Sequence, residues 1–337
     1  MPAMCGSGVP ALEEGAVASL DALAAQQAPN GQIPKYVDPE GQDADFWYLG
    51  CIDATLWWLI AVDHVRRHGK VGPERWADGV QRGLTWLLAQ EHQHFRLLQQ
   101  NEASDWADIM PRSGYVLYTN ALWFDVKRRF ALTHVQETHH HFNHLFNPFQ
   151  SDLHEYHRAR LLQHYARRGH SESNLYLSFV NLAVAGHEGD VFGNLLAIQC
   201  GLADEGMAHN IVNVISAAHV SDPYPLRVVL HPLSEEHDQW RLYMGRHRQN
   251  LMYQYHNGGV WPFVGGFWVM ALAKLGQREK GWAELVKLAQ ANALDDWRFT
   301  EWFHGRTLEP NGMAGQSWNA ATFLLARRAL QGQWTAW

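Results

Sequence analysis

About eleven segments of this chain carry apolar side chains at helical spacing, and short turns separate one segment from the next. No alternation of strands with helices is visible, and no low-complexity linker divides the segments. Consecutive amphipathic helices with short connections fold as antiparallel hairpins, because each helix must bury its apolar face. We therefore predict an all-α fold in which residues 1–337 form one domain with minor β extensions. If the hairpins close into a ring, their loops gather at one end.

The bounds of the predicted helices come from caps, breakers and apolar periodicity. These helices are 11–28, 52–68, 73–98, 191–203, 206–219, 240–255, 263–275, 280–293 and 316–330. Residues 115–138 are apolar and periodic at first and charged later. Short extended segments are predicted at 175–185 and 223–232, and residues 29–50 are predicted to form a long loop.

The composition argues against several classes of partner. The formal charge of -7 and the absence of lysine or arginine clusters longer than pairs argue against nucleic acid. The longest apolar run, residues 56–62, is far shorter than the roughly 20 residues of a membrane helix. No signal peptide is visible, and the isolated Cys5, Cys51 and Cys200 suit a reducing cytoplasm. We therefore expect a cytoplasmic protein with a small neutral ligand and no membrane partner, while the oligomeric state stays open.

Residues 99–123 form the densest group of acidic and aromatic side chains in the sequence. Polar groups are costly to bury without partners, so we expect this stretch to line a wet cleft. Residues 300–318 hold another acid, Glu301, again among aromatics and glycines. Two carboxylates on either side of a sugar are what cleavage of a glycosidic bond requires. The 16 tryptophans support this interpretation, because indole rings stack on sugar faces.

Asp105 and Asp108 are three residues apart, so one helical turn would place them on the same face. Two close carboxylates raise the pKa of one of them, and an apolar wall from Trp106 and Ile109 would raise it further, as a general acid requires. Spacing alone does not decide which of the two is the acid. Glu301 would be the ionised base that takes a proton from water. The alternative is that the acids before the helix only cap it.

Histidines are also dense, since nine of the 21 lie between His134 and His170. However, residues 139–144 do not combine an i, i+4 pair of histidines with the glutamate of a zinc protease, and residues 154–157 are one residue too short for that motif. We therefore predict a solvated helical face and neither a metal nor a cofactor. Motifs for nucleotide binding and for serine hydrolases are not found.

Four stretches resemble the glycogen-debranching, amylo-α-1,6-glucosidase type of glycoside hydrolase and the related alkaline/neutral invertases. They are IDATLWW (52–58), DWAD (105–108) ahead of GYVL (114–117), YHNGGVWP (255–262), and EWFHG (301–305) ahead of QSW (316–318). They occur in the family's order. The resemblance implies a toroid of six helical hairpins, (α/α)6, and an inverting hydrolase that acts without a metal or a cofactor.

By position, the resemblance implies that Asp108, the aspartate after the tryptophan, is the general acid and that Glu301 is the general base. Asp53 would hold sugar hydroxyls, and Trp261 and Trp318 would stack or pack beside the ring. The full set of predicted substrate-binding residues is Asp53, Trp57, Asp105, Trp106, Arg112, Tyr115, Trp261, Trp302, His304, Gln316 and Trp318.

Two departures from the family pattern bear on these expectations. The W-x-R-D stretch that usually lies upstream of the first motif is not found before Asp53, which leaves open whether the ring is short by a hairpin. The glucanotransferase half of large debranching enzymes is absent too. The expected substrate is therefore a small soluble saccharide with an α-glucosyl bond, and sucrose is the nearest variant.

Two other classes of function stay open. His187, His256 and His304 lie near the candidate loops and could shuttle protons in a sugar isomerase or epimerase. The missing upstream motif motivates the third class, a sugar-binding protein without catalysis.

Overall fold

The computed structural model describes residues 2–5, 7–38, 40, 43–47, 50–149, 157–168, 174–246 and 248–333. Its helices are α1 (Pro2–Cys5), α2 (Pro10–Ala25), α3 (Ile52–Arg67), α4 (Ala77–Leu88), α5 (Leu117–Arg129), α6 (Val135–Phe146), α7 (His157–Arg167), α8 (Val191–Gln199), α9 (Glu205–Ala217), α10 (Leu242–Arg246), α11 (Pro262–Lys274), α12 (Arg278–Trp297) and α13 (Ser317–Leu330). The predicted all-α fold class is confirmed.

In the described residues, strands are two residues long and form three antiparallel pairs. These pairs are β1 (Tyr36–Val37) with β2 (Ala44–Asp45), β3 (Tyr115–Val116) with β4 (Phe179–Val180), and β5 (Trp302–Phe303) with β6 (Pro310–Asn311). They fix loops rather than form a layer, as the predicted minor β extensions would.

Six helices form a closed inner ring. Helices α3, α5, α8, α11 and α13 pack side by side in this order, and α1 packs on both α13 and α3. Helices α2, α4, α6, α9 and α12 pack on the outside of this ring. Every residue of α8 is buried, as expected for an apolar helix that is covered on all sides. The α1–α2 pair therefore occupies the sixth place in the ring, although its inner helix has only four residues.

Two predicted helices differ from the structure. The helix predicted at 73–98 ends at Leu88, because the chain then turns and buries Phe95, Leu97 and Leu98. The helix predicted at 240–255 is reduced to α10. Beyond it, the side chain of Asn250 accepts hydrogen bonds from the N–H groups of residues 256 and 257, and such bonds compete with a helix.

Most of the predicted extended structure is also absent from the described residues. Within 175–185 only β4 is a strand, because the side chain of Asn181 accepts hydrogen bonds from the N–H groups of Ala183 and Val184 and closes a turn. Residues 223–232 make only isolated bridges, such as that between Arg227 and Val260. The first of these segments leads from α7 to α8, and the second lies between α9 and α10.

The dense histidines between His139 and His144 lie on α6, as the predicted helical face requires. The Nδ1 atom of His141 hydrogen-bonds to the carbonyl of Glu137 at 2.9 Å, one turn back along the helix. Residues 154–156 of the near-motif lie outside the described residues. Among the described helices, none has both the length and the apolar character needed to cross a bilayer.

Candidate active site

One cavity of about 510 Å³ is lined by the second residue of every inner helix. These six residues are Ala3, Asp53, Tyr118, Phe192, Phe263 and Trp318. The five longer inner helices therefore direct their N-terminal ends towards the same space, while Ala3 of the four-residue α1 lines it as well. Helix N-termini carry partial positive charge, which stabilises carboxylates placed near them.

Asp108 reaches this cavity from the loop between α4 and β3. Its carboxylate forms an ion pair with Lys35 and accepts a hydrogen bond from the hydroxyl of Tyr255 at 3.3 Å. The backbone beside it is held by Asn250, whose side-chain amide donates to the carbonyl of Asp108 at 2.9 Å. Burial raises the pKa of Asp108, although the charge of Lys35 opposes the rise. A raised pKa favours the protonated form that a general acid needs.

Glu301 reaches the same cavity from the residue before β5. One carboxylate oxygen accepts a hydrogen bond from the N–H of Met313 at 2.8 Å. Gly312 permits this approach, because a Cβ there would lie 2.3 Å from the carboxylate and the backbone has φ +75°. Burial raises the pKa of Glu301, the Met313 N–H opposes the rise, and the negative charge of Asp108 adds to it.

Tyr255 lies beside both loops, since its hydroxyl donates to Asp108 and its ring centroid lies 5.9 Å from that of Trp302, the residue after Glu301. Indole rings wall the space between them. The ring centroids of Trp106 and Trp261 are 5.6 Å apart, and those of Trp261 and Trp318 are 6.1 Å apart. Two carboxyl groups in an aromatic hollow are suited to acid and base catalysis on a sugar.

Asp53 also lines the cavity, at the start of α3. It accepts hydrogen bonds from the Tyr118 hydroxyl at 2.8 Å and from the Cys51 thiol at 3.0 Å. The Trp57 indole N–H donates in turn to the oxygen of Tyr118 at 2.7 Å. Burial raises the pKa of Asp53 to about 6, and the charge of Asp105 adds to the rise. This network fixes the orientation of three polar side chains at the cavity wall.

Two buried polar side chains at the cavity have nitrogen atoms without a hydrogen-bond partner. Within the part of the chain that the structure describes, neither the ring nitrogens of His256 nor the indole nitrogen of Trp106 make a hydrogen bond. The His256 ring stacks on Trp261 with centroids 4.7 Å apart, and burial holds its pKa well below the usual range, so the ring is neutral. Unpaired buried polar groups are costly, which makes both residues candidates for binding a ligand hydroxyl.

Asp105, the other candidate acid, does not line the cavity. It is buried and accepts hydrogen bonds from the Ala107 N–H and the Gln100 side-chain amide, each at 2.8 Å. Asp105, which is predicted to bind substrate, is thus placed by the structure outside the cavity wall, where its hydrogen bonds hold the loop. Spacing could not separate Asp105 from Asp108, whereas their surroundings do.

Arg112 is likewise buried away from the cavity wall. Its guanidinium lies 3.0 Å from Glu188 and 3.1 Å from Asp190. The structure therefore places Arg112, which is predicted to contact substrate, between two carboxylates rather than on the cavity wall. The ion pairs fasten the loop before β3 to the start of α8.

Four more predicted substrate-binding residues do not line the cavity. Tyr115 is buried in β3, where its hydroxyl accepts from the Gln99 side chain at 3.0 Å. Trp302 is buried in β5. The Nδ1 atom of His304 accepts a hydrogen bond from the N–H of Thr307. Gln316 is the N-cap residue of α13. The structure brings to the cavity Asp53, Trp57, Trp106, Asp108, Trp261, Glu301 and Trp318.

Three polar residues of the site escape the sequence analysis. Lys35 lies in a segment predicted only as a loop, and Tyr118 lies in an apolar helix. Tyr255 belongs to a quoted motif but carried no predicted role. The signal available for Tyr118 is its place as the second residue of a helix, the position Asp53 holds in α3. Of the histidines considered for isomerase chemistry, His256 lines the cavity while His187 and His304 do not.

In the described residues, no three His, Cys, Asp or Glu side chains are arranged to hold one metal ion. The ionisable groups that line the cavity include the carboxyl groups of Asp53, Asp108 and Glu301, the ammonium group of Lys35 and the neutral imidazole of His256.

Residues 187–332 match a protein-family model described as alkaline and neutral invertase. The matched segment contains Glu301, Trp318 and the motif at 255–262 but not Asp53 or Asp108. Among curated relatives, neutral/alkaline invertase 1, mitochondrial, of Oryza sativa subsp. japonica is 29% identical over 143 residues, 41% of this chain and 22% of that protein. Alkaline/neutral invertase E, chloroplastic, of Arabidopsis thaliana is 30% identical over 144 residues, with 41% and 22% covered.

The predicted resemblance to the alkaline/neutral invertases is thereby confirmed. The matched segment spans about a fifth of the length of these relatives.

Solved structures resemble the chain over nearly its whole length. An uncharacterized conserved protein from Thermus thermophilus has a TM-score of 0.63 at 13% identity and covers 96% of this chain and 90% of its own. The GH63 mannosylglycerate hydrolase of the same organism, in complex with Tris and D-glycerate, has a TM-score of 0.61 at 12% identity, with 96% and 90% covered. At such identity the likeness concerns the fold alone.

Proposed function

We propose that this protein is an inverting glycoside hydrolase that cleaves an α-glycosidic bond in a small soluble saccharide, with Asp108 as general acid and Glu301 as general base. One observation carries the proposal: acids from two loops far apart in the sequence line one aromatic-walled cavity. The match of residues 187–332 to the invertase family supports it, since that segment supplies Glu301 and much of the tryptophan wall.

The reaction needs one proton transfer at each carboxyl group. Protonated Asp108 gives its proton to the glycosidic oxygen while the bond from that oxygen to the anomeric carbon breaks. Glu301 takes a proton from a water molecule, whose oxygen bonds to the anomeric carbon from the opposite face. The products are the leaving alcohol and a sugar of inverted anomeric configuration, and solvent exchange then restores both carboxyl groups.

The environment of each acid supports its role. Asp108 is buried, which favours its protonated form. Glu301 also has a raised pKa, which makes its carboxylate a stronger base near neutral pH, and the Met313 N–H keeps it oriented. The unpaired nitrogens of His256 and Trp106 would bind sugar hydroxyls, while Trp261 and Trp318 pack beside the ring.

An α-glucosyl unit is the proposed sugar because the curated relatives are invertases, enzymes whose name denotes sucrose cleavage. Sucrose hydrolysis is therefore the nearest alternative within the same chemistry. We place the reaction in the cytoplasm, which three free and buried cysteines support.

The test is hydrolysis of sucrose, trehalose, isomaltose and maltose, followed by proton NMR of the first anomer released. We expect one of these sugars to yield β-glucose first, and Glu301→Gln to lower kcat by about 10²–10⁴-fold with little change in sugar affinity. Glu309→Gln is the matched control, because Glu309 is an exposed acid just before β6, the strand that pairs with β5. Full activity in Glu301→Gln, or saturable binding with no product from any sugar, would overturn the proposal.

A further inference from the structure

Asn250 lies between α10 and α11 in the chain, and its buried side chain bridges this segment and the loop before β3. The amide nitrogen donates hydrogen bonds to the carbonyl groups of Asp108 at 2.9 Å and of Ile109 at 3.2 Å. The amide oxygen accepts hydrogen bonds from the backbone N–H groups of His256 at 3.0 Å and of Asn257 at 3.2 Å. Both donors and both acceptor positions of the amide are therefore used.

The backbone around Asp108 forms a tight turn that these hydrogen bonds support. The N–H of Met110 donates to the carbonyl of Ala107 at 3.1 Å, and Ile109 between them has φ +54°. This left-handed conformation costs a β-branched residue about 1–3 kcal/mol. The carbonyl groups on either side of the Ile109 Cα atom accept from the same Asn250 amide, so the two hydrogen bonds hold the turn in this conformation.

The oxygen of the Asn250 amide holds the segment that supplies a partner of the proposed acid. Tyr255 directly precedes the two residues whose N–H groups donate to this oxygen, and its hydroxyl donates to the Asp108 carboxylate at 3.3 Å. That distance exceeds the usual range of about 2.5–3.0 Å, so a small displacement of either segment would break the hydrogen bond. Asn250 is held in turn, because the side-chain amide of Asn257 donates to its carbonyl at 3.0 Å.

We propose that Asn250 is a positioning residue, which places the carboxyl group of Asp108 for proton transfer by joining the loop of the acid to the segment of Tyr255. This inference rests on the proposed function, in which Asp108 is the general acid. Asn250 does not line the cavity, so it acts through Asp108 rather than on the sugar.

The geometry of proton transfer leaves little tolerance for a displaced acid. The carboxyl oxygen must lie about 2.6–3.2 Å from the glycosidic oxygen, and a misplacement of about 1 Å can lower the rate about 10²-fold. Loss of the Asn250 amide should therefore affect the step that needs the acid more than the binding of the sugar. Substrates that differ in their need for a proton can separate these two effects.

The test compares a disaccharide with α-glucosyl fluoride, whose fluoride leaves with little need for protonation. The disaccharide is whichever of sucrose, trehalose, isomaltose and maltose the wild-type protein cleaves. Asn250→Asp keeps the oxygen that accepts the two N–H groups and replaces the nitrogen that donates to the acid's loop. We expect it to lower kcat/KM for the disaccharide about 10–100-fold and for the fluoride less than about threefold, with little change in KM.

A second variant and a ratio guard against effects of misfolding. Asn250→Ala removes the same donors without adding a carboxyl group, and it should show the same selectivity between the two substrates. Both values of kcat/KM are measured on one sample, so the amount of folded protein cancels in their ratio.

Asn194 on α8 is the matched control, because it is equally buried and its amide donates to two carbonyl groups, those of Tyr176 at 3.2 Å and Asp190 at 2.8 Å. Asn194→Asp should lower the melting temperature and leave the ratio of the two kcat/KM values at the wild-type value. An equal loss on both substrates in the Asn250 variants, or a loss confined to KM, overturns the inference while wild-type hydrolysis upholds the proposed function. If the wild-type protein cleaves none of these sugars, the proposed function is rejected and the inference with it.

Discussion

The ammonium group of Lys35 contacts the carboxylate of Asp108 and lies 3.6 Å from the ring centroid of Trp47. Lys35 comes from the loop after α2, whereas Asp108 comes from the loop before β3. Two opposing effects therefore set the protonation of the proposed acid. Burial favours the neutral carboxyl group, while Lys35 favours the carboxylate. Because both side chains are mostly buried, salt screens their interaction only weakly.

Removal of this lysine should change the pH dependence of catalysis. In Lys35→Met the pKa of Asp108 rises, since the group that lowers it is gone. A general acid must be protonated, so activity falls as pH rises through its pKa. The alkaline limb of kcat/KM should therefore move to higher pH, by about one unit or more.

The measurement is a pH profile of kcat/KM for wild type and variant on the same substrate. Lys70→Met is the control, because Lys70 pairs with Glu13 and does not line the cavity. An alkaline limb that stays in place, or moves to lower pH, would contradict the assignment of Asp108 as the acid.

Asn substitutions at Asp108 and Asp105 should have different consequences. Asp108→Asn should lower kcat about 10²–10⁴-fold on an alkyl glucoside, and far less on a p-nitrophenyl glucoside, whose leaving group needs little protonation. Asp105→Asn should instead lower the melting temperature, because Asp105 accepts two hydrogen bonds within the loop. Kinetics on both substrates and thermal unfolding check this. If Asp105→Asn alone showed the leaving-group effect, the two roles would be exchanged.

Stability should depend on pH through Asp53. Its pKa is raised to about 6 in the folded protein, so the folded state favours the protonated carboxyl group. This contribution is complete below the unfolded pKa of about 3.9 and is lost as pH rises through the folded value. A shift of about two units corresponds to roughly 3 kcal/mol in total, most of which is lost between pH 4 and pH 8. Asp53→Asn should remove most of that difference.

Urea unfolding at several pH values gives the unfolding free energy of wild type and of Asp53→Asn. The quantity to compare between the two proteins is the change of this free energy with pH. Asp190, whose pKa is also raised to about 6, contributes equally to both proteins. Asp78→Asn serves as the control, since the Asp78 side chain is 85% exposed. The same pH dependence in Asp53→Asn as in wild type would show that Asp53 titrates normally.

Arg112 should matter for folding rather than for substrate binding. Arg112→Met leaves the buried carboxylates of Glu188 and Asp190 without their cation, which should cost about 3–5 kcal/mol of unfolding free energy. Arg112→Lys keeps the charge and should lose less. The KM of whatever protein remains folded should stay near the wild-type value. A large rise in KM with unchanged stability would restore the role in substrate binding.

Local patterns were sufficient for three of the six inner helices. The helices predicted at 52–68, 263–275 and 316–330 appear as α3, α11 and α13 with ends shifted by one residue at most. Their apolar periodicity and flanking breakers depend on neighbouring residues only, so the sequence carries that information directly. By contrast, the helix predicted at 240–255 is lost, because Asn250 hydrogen-bonds to backbone groups that a local pattern cannot foresee.

The residues of the site also differ in whether local sequence could identify their role. Motifs pointed to Asp108 and Glu301, and the structure places both on one cavity. They gave Arg112 a contact with substrate, although its charge is taken by two carboxylates from residues more than 70 positions away. They gave no role to Lys35, whose effect arises only because its loop packs over Asp108.

The amino-acid order by itself determined where helices start and which acids are surrounded by aromatic side chains, because both follow from residues close together along the chain. Only tertiary packing decided which of those acids line a common cavity and which are hydrogen-bonded to buried groups outside it. The physical reason is that ion pairing and desolvation depend on distances between residues that are remote in sequence, and closure of the ring sets those distances.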